Sequence, residues 1–159
     1  MKIRKTSFIT KNGLNVNISG LDLEVLDITW FAVDATGSIA AFASAGSGVV
    51  PLSIMQSFGE MEFLFKYFSS AAEASDWYSV DSNISSVTGN VECYVSAFSW
   101  LSRKGVFAYD AKGLSYFPVT VPVSPCKLHD LPSEVAQVLA KTTFSGVFFS
   151  DQLEILPES

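Results

Sequence analysis

One histidine, two cysteines and ten basic residues are the whole supply, in this 159-residue chain, of the groups that most often bind metals, act as nucleophiles or grip phosphate. With His129 alone, no histidine-rich metal motif can form, and a Ser-His-Asp or Cys-His site would have to use that one ring. Cys93 and Cys126 lie too far apart in sequence to read as a zinc pair. Charged residues make up only 16%, and from Asn12 to Phe65 there is no base at all, against six acids: Asp22, Glu24, Asp27, Asp34, Glu60 and Glu62. A net charge of −6 argues against a nucleic-acid partner, because binding a phosphate backbone needs Lys and Arg to release counterions. The basic start, Met1 to Lys5, has no apolar stretch behind it, so a secretory signal is not expected. The uncharged span from Ala35 to Gly59 is broken by Gly, Ser, Gln and Pro51, and does not read as a membrane helix. The expectation is a cytoplasmic protein with reduced thiols.

What is present is apolar. Hydrophobic residues make up 48% of the chain, thirteen of them Phe, which is enough to bury a core across a single domain spanning 1–159. The organising stretch is Trp30 to Phe42, an apolar run, a tight turn and a second apolar run. The frame Phe31-Ala-Val-Asp-Ala-Thr-Gly37 returns as Phe107-Ala-Tyr-Asp-Ala-Lys-Gly113. In each copy an Asp that accepts from backbone N–H groups and a Gly that tolerates positive φ predict a turn between antiparallel strands.

Taken in order, Asn12-Gly13 between alternating stretches predicts a first hairpin, and 21–26 reads as an exposed strand. Strands follow at 28–33 and 38–43. Ile54, Phe58, Met61, Phe65 and Phe68 then fall on one helical face, with a bend expected at Gly59 and an end near Ser75. Residues 76–89 read as a polar connection. Residues 90–103 fit either period, and Arg103, Lys104 and Gly105 favour a helix that ends there. Strands are expected at 106–109 and 114–119, with Pro118 and Pro122 ending the second early or placing it at an edge. A last helix runs from Asp130-Leu-Pro132 to about Lys141, and closing strands follow at 144–149 and 153–156. The fold class is therefore α+β: a mainly antiparallel sheet with two Asp-x-x-Gly hairpins, covered by two or three helices.

Candidate chemistry is thin. Cys126 and His129, three residues apart, are the one possible nucleophile–base pair, and the alternative is that His129 is a loop residue before the last helix. Ser124-Pro-Cys-Lys127 has the bare Ser-x-x-Lys spacing without its companion motifs. Gly46-Ser-Gly48 lacks the Lys-Ser/Thr of a phosphate loop, so no cofactor is indicated. Asp34 and Asp110 have a structural use as turn openers. Trp77 stands in a polar stretch and is either an exposed interface anchor or a lid folded over the helix.

Four pieces carry a resemblance: Trp30-Phe-Ala-Val-Asp with Gly37-Ser-Ile-Ala-Ala-Phe42 and Ser44-Ala-Gly-Ser-Gly-Val-Val-Pro51; Glu62-Phe-Leu-Phe-Lys-Tyr-Phe68; Ser102-Arg-Lys-Gly-Val-Phe-Ala-Tyr-Asp110; and Pro125-Cys-Lys-Leu-His-Asp-Leu-Pro132. Together they resemble a group of small bacterial cytoplasmic proteins, some of which look like the immunity proteins that neutralise polymorphic toxins. That resemblance implies a protein-binding role without catalysis, and carries over no catalytic residue. The acidic first half fits a basic toxin domain as partner, with Asp22, Glu24, Asp27, Glu60, Glu62 and Trp77 as contact residues. A small hydrolase using Cys126 and His129, or a scaffold with a ligand pocket against the Phe-rich helix, is the alternative.

Overall fold

A computed structural model describes residues 27–157. The expected Asn12-Gly13 hairpin and the strand at 21–26 lie outside the described residues, as do Asp22 and Glu24. Within them a six-stranded sheet runs through the molecule. Its strands are β1 (Thr29–Asp34), β2 (Ile39–Ala43), β3 (Tyr78–Val80), β4 (Phe107–Lys112), β5 (Ser115–Pro122) and β6 (Thr143–Phe144), in the order β3-β5-β4-β2-β1-β6. The sheet is mixed. β1 pairs antiparallel with β2, and β5 pairs antiparallel with both β4 and β3, while the β2–β4 and β1–β6 pairs are parallel. The two apolar hairpins thus lie side by side through a parallel join, Ala40 to Phe107 and Phe42 to Tyr109, where a mainly antiparallel sheet was expected. A parallel join needs a crossover, and the helices between β2 and β4 supply it.

Among the described residues five α-helical segments accompany the sheet: the single turns α1 (Leu52–Met55) and α3 (Ile84–Val87), and the longer α2 (Phe58–Ser70), α4 (Val91–Arg103) and α5 (Ser133–Ala140). The break between α1 and α2 falls at Gln56–Ser57, before the Gly59 where a bend was expected. Ser57 has an extended backbone, and its Oγ accepts from the Glu60 N–H at 3.2 Å, so a new helix is capped there. α2 stops at Ser70, short of the expected Ser75; Lys104 Nζ donates to the Phe68 and Ser69 carbonyls at 2.6 and 2.8 Å, closing its C-terminus. α4 begins on Asn90, whose Oδ1 accepts from the Cys93 N–H, and ends at Gly105 with φ +85°. A Cβ at Gly105 would lie 2.6 Å from the Cys126 nitrogen, so both conformation and space demand glycine.

The sheet has an apolar layer on each face. One, beneath α2, α4 and α5, contains Phe31, Val33, Ile39, Leu64, Phe68, Leu101 and Leu139. The other is aromatic: Trp30, Phe42, Tyr109, Tyr116 and Phe149, covered by α1 with the residues before it and by the C-terminal stretch. Phe42 lies at its centre, stacked on Trp30 at 4.2 Å and on Tyr109 at 5.0 Å between ring centres. Tyr116 donates no bond to the tryptophan; its hydroxyl accepts from Trp30 Nε1 at 3.1 Å. Strand alternation explains the division, since Trp30, Ala32, Ala40 and Phe42 point to one side and Phe31, Val33, Ile39 and Ala41 to the other.

The two Asp-x-x-Gly sequences fold differently. Asp34 opens the β1–β2 turn as expected: Oδ1 accepts from the Thr36 and Ser38 N–H groups and the Thr36 hydroxyl, and Gly37 takes φ +81°. Its Oδ2 accepts from the Phe149 N–H at 2.9 Å, tying the C-terminal stretch to the same carboxylate. Asp110, by contrast, is inside β4. The strand continues to Lys112, which pairs with Ser115, so Gly113-Leu114 forms the loop. Pro118 and Pro122 do not end β5 at an edge either: the strand lies between β3 and β4, and Pro118 falls beside the irregularity at Ala108/Tyr109, where a missing N–H is tolerated. The closing segments are shorter than expected, β6 having two residues and Ile155 joining Tyr116 as an isolated bridge.

Replacing Asp34 with alanine strands three backbone N–H groups, one of them from a distant segment. Loss of about 3 kcal/mol in urea unfolding is expected. A loss under about 1 kcal/mol would show that the carboxylate does not hold these segments together.

Candidate functional site

The candidate residues separate into groups that the fold uses internally and groups that it leaves in solvent. Cys126 and His129 are not arranged as a nucleophile and base. The Cys126 thiol makes a 3.8 Å contact to the Lys127 carbonyl, and burial, aided by the Asp130 charge, pushes its pKa up. An activated thiol needs the opposite shift. The His129 side chain is 80% exposed, its Nε2 lying 3.3 Å from Asp130 Oδ1 on the 3-10 turn Leu128–Asp130. Lys127, the last residue of the Ser-x-x-Lys spacing, reaches back to the Asp34 turn and donates to Ser38 Oγ at 2.8 Å and Thr36 Oγ1 at 3.1 Å.

The other unusual pair is Tyr94 and Asp110, which join α4 to β4. The Tyr94 hydroxyl donates to Asp110 Oδ2, and Asp110 Oδ1 accepts from the Ala111 N–H at 2.9 Å. Burial pushes the Asp110 carboxyl above its ordinary value of 3.8; the two hydrogen bonds oppose the rise, and the Asp27 charge adds to it. Burial also raises Tyr94, reinforced by the bond to Asp110 and its charge, so the phenol remains a donor. On the opposite face burial pushes Tyr116 up to about 12, against the lowering effect of the Trp30 N–H. These are interior polar contacts with their partners in place. A void beneath α2, lined by Phe31, Ile54, Leu64 and Val138 among others, amounts to about 10 Å³, space for about one water and no organic ligand.

The expected contact residues fare unevenly. Asp27 is exposed, and its Oδ1 accepts from the Ala45 N–H at 2.9 Å, which steadies a loop where Ala45 itself has φ +48°. Glu60 is paired with Lys141 across α2 and α5. Glu62 is exposed on α2. Trp77 is 76% exposed, between α2 and β3, so it is an exposed residue and not a lid. On α2 sequence periodicity misplaced one aromatic: Phe65, assigned to the buried stripe, is 43% exposed, and Phe63 is 38% exposed. Leu64 takes the core position in place of Phe65, which packs edge-on against Trp100 at 5.8 Å.

Charge follows the same division. Among the described residues, exposed acids outnumber exposed bases nine to three. Three further bases are engaged within the fold: Lys104 caps α2, Arg103 lies over the Tyr78 ring at 5.6 Å and Lys127 holds the Asp34 turn; of the exposed ones, Lys141 pairs with Glu60. No group of three or more potential metal-binding side chains occurs among the described residues, and no helix among them is long and apolar enough to cross a membrane.

Comparison with protein-family models, with curated proteins and with solved structures finds no match to this chain.

The Asp110 shift sets a pH dependence. A carboxyl whose pKa is raised in the folded state binds its proton more readily there than when unfolded, so stability falls as pH rises from the ordinary value of 3.8 through the folded one. Asp110→Asn should remove this fall and leave the protein at least as stable as the parent at neutral pH, measured as urea midpoints from about pH 4 to pH 7. An unchanged pH profile, or a variant that loses stability only at neutral pH, would contradict the assignment.

Proposed function

We propose that this protein is a non-enzymatic binding module for another protein, of the immunity type, which blocks a basic toxin domain by covering it. The observation that carries the reading is the outward field. Among the described residues exposed acids outnumber exposed bases three to one, and a tryptophan stands in solvent beside two of those acids in the chain, Glu73 and Asp76. A large, rigid aromatic side chain is a common energetic centre of an interface, and acids around it speed encounter with a basic partner. Occlusion needs no chemistry, only a stable surface, and the sheet with its two packed faces provides one. The resemblance noted in the sequence favours a toxin as that partner. Cys126 and His129 lend no support to a hydrolase, since the thiol is pushed away from its reactive form and the ring is directed elsewhere.

The test is co-expression with the product of the adjacent gene. The reading expects that product to arrest growth alone, and this protein to restore growth by forming a stoichiometric complex. A neighbour that neither arrests growth nor binds the chain, or rescue without a complex, would contradict it.

A further inference from the structure

We infer that the docking surface is the outer face of α2 together with the Glu73–Trp77 segment, and that its occupant is a segment of a partner protein carrying basic residues beside an apolar side chain. This rests on the binding reading above but places the surface away from Asp27 and Glu60, whose carboxylates are engaged within the fold.

Three observations converge on this place. First, α2 is apolar beyond its core-facing side: Met61, Leu64 and Phe68 satisfy the core, yet Phe63 and Phe65 are exposed on its outer side. Phe63, Lys66, Tyr67 and Ser70, with Ala71 beyond the helix end, line a shallow open groove of about 400 Å³. Residues 63, 67 and 70 share one stripe at helical spacing, so the groove follows the helix axis and suits an elongated segment. Secondly, the segment after the helix adds Trp77, the most exposed of the large hydrophobic side chains among the described residues. It is fixed at its base: the Ala74 and Ser75 N–H groups donate to the Arg103 carbonyl at 2.7 and 3.1 Å, and the Trp77 N–H donates to Ser75 Oγ at 3.1 Å. A tryptophan held in solvent by a braced backbone loses little freedom on binding.

Thirdly, the charge around these aromatics has one dominant sign. Glu62, Glu73 and Asp76 are exposed, and Lys66 is the one exposed base from Phe58 to Tyr78. The nearby cations are withdrawn, Lys104 onto the α2 carbonyls and Arg103 onto Tyr78. The rim therefore repels acidic segments and attracts basic ones, while the groove and the Trp77 ring accept apolar and cationic groups.

The test is a selection of short random displayed peptides on the full chain, followed by titration of the enriched sequences. Enriched peptides should carry Arg or Lys beside aliphatic or aromatic residues. Their affinity should fall at least about tenfold with Trp77→Ala and again with Glu73→Lys/Asp76→Lys, and weaken as salt is raised. These positions are exposed, and unchanged circular dichroism and urea midpoints would confirm that the variants fold. Basic peptides whose binding is indifferent to both variants would overturn the location while leaving the binding module standing. Enrichment of acidic or neutral peptides at this site would overturn the partner chemistry. Concentration-dependent self-association abolished by Trp77→Ala would replace the basic partner with a second copy of the chain. Failure to enrich any peptide would count against both the surface and the module.

Discussion

Phe42 sits between Trp30 and Tyr109, and much of the fold follows from that stack. The Trp30 contact belongs to the local β1–β2 hairpin, but the Tyr109 contact exists only because β2 and β4 lie parallel at Phe42–Tyr109. The aromatic layer therefore joins two hairpins that are distant in sequence. Buried rings contribute through area removed from water and through offset and edge-on contacts, each worth about 0.5–1.5 kcal/mol beyond burial. Tyr116 and Phe149 complete the layer edge-on, and the Asp34 carboxylate holds the Phe149 backbone beneath it. One buried carboxylate thus fastens a turn and the lid of the aromatic core together.

With one face occupied by rings and loops, the three longer helices cover the other. Several polar side chains are used in building this arrangement: Lys104 and Lys127 fasten segments to one another, and Tyr94–Asp110 ties α4 to the sheet. Among the described residues, acids dominate the exposed charge, and Trp77, Phe63 and Phe65 are exposed beside them. Among the described residues, internal use of Arg103, Lys104 and Lys127 adds to the acidic excess of the sequence, and the binding proposal depends on that excess.

Several elements were legible because their determinants are local. The Trp30–Phe42 hairpin, the stop of α4 before Gly105, and the α+β class all follow from neighbouring residues. The second Asp-x-x-Gly was misleading for a reason that the two sequences contain. Asp34 is followed by Thr36 and Ser38, whose N–H and hydroxyl groups gather around it, whereas Asp110 is followed by Lys112 and Leu114. Without that network the strand runs on, and Gly113, at φ +62°, takes the turn. The parallel β2–β4 join was not legible, because alternation states which face a residue takes and not which strand lies beside it. The surface aromatics of α2 were hidden for a related reason: a helix rich in Phe on several sides satisfies more than one stripe, and tertiary packing chose Leu64 over Phe65.

Native-state amide exchange measures the central claim most directly. If the Trp30–Phe42–Tyr109 stack is what the molecule is built on, amides within residues 31–42 and 107–109 should exchange last and together, by global unfolding, while those of 73–77 exchange far sooner. Exchange of the two hairpins at separate, unequal rates would show that they are independent units, and that the aromatic join between them does not govern the fold.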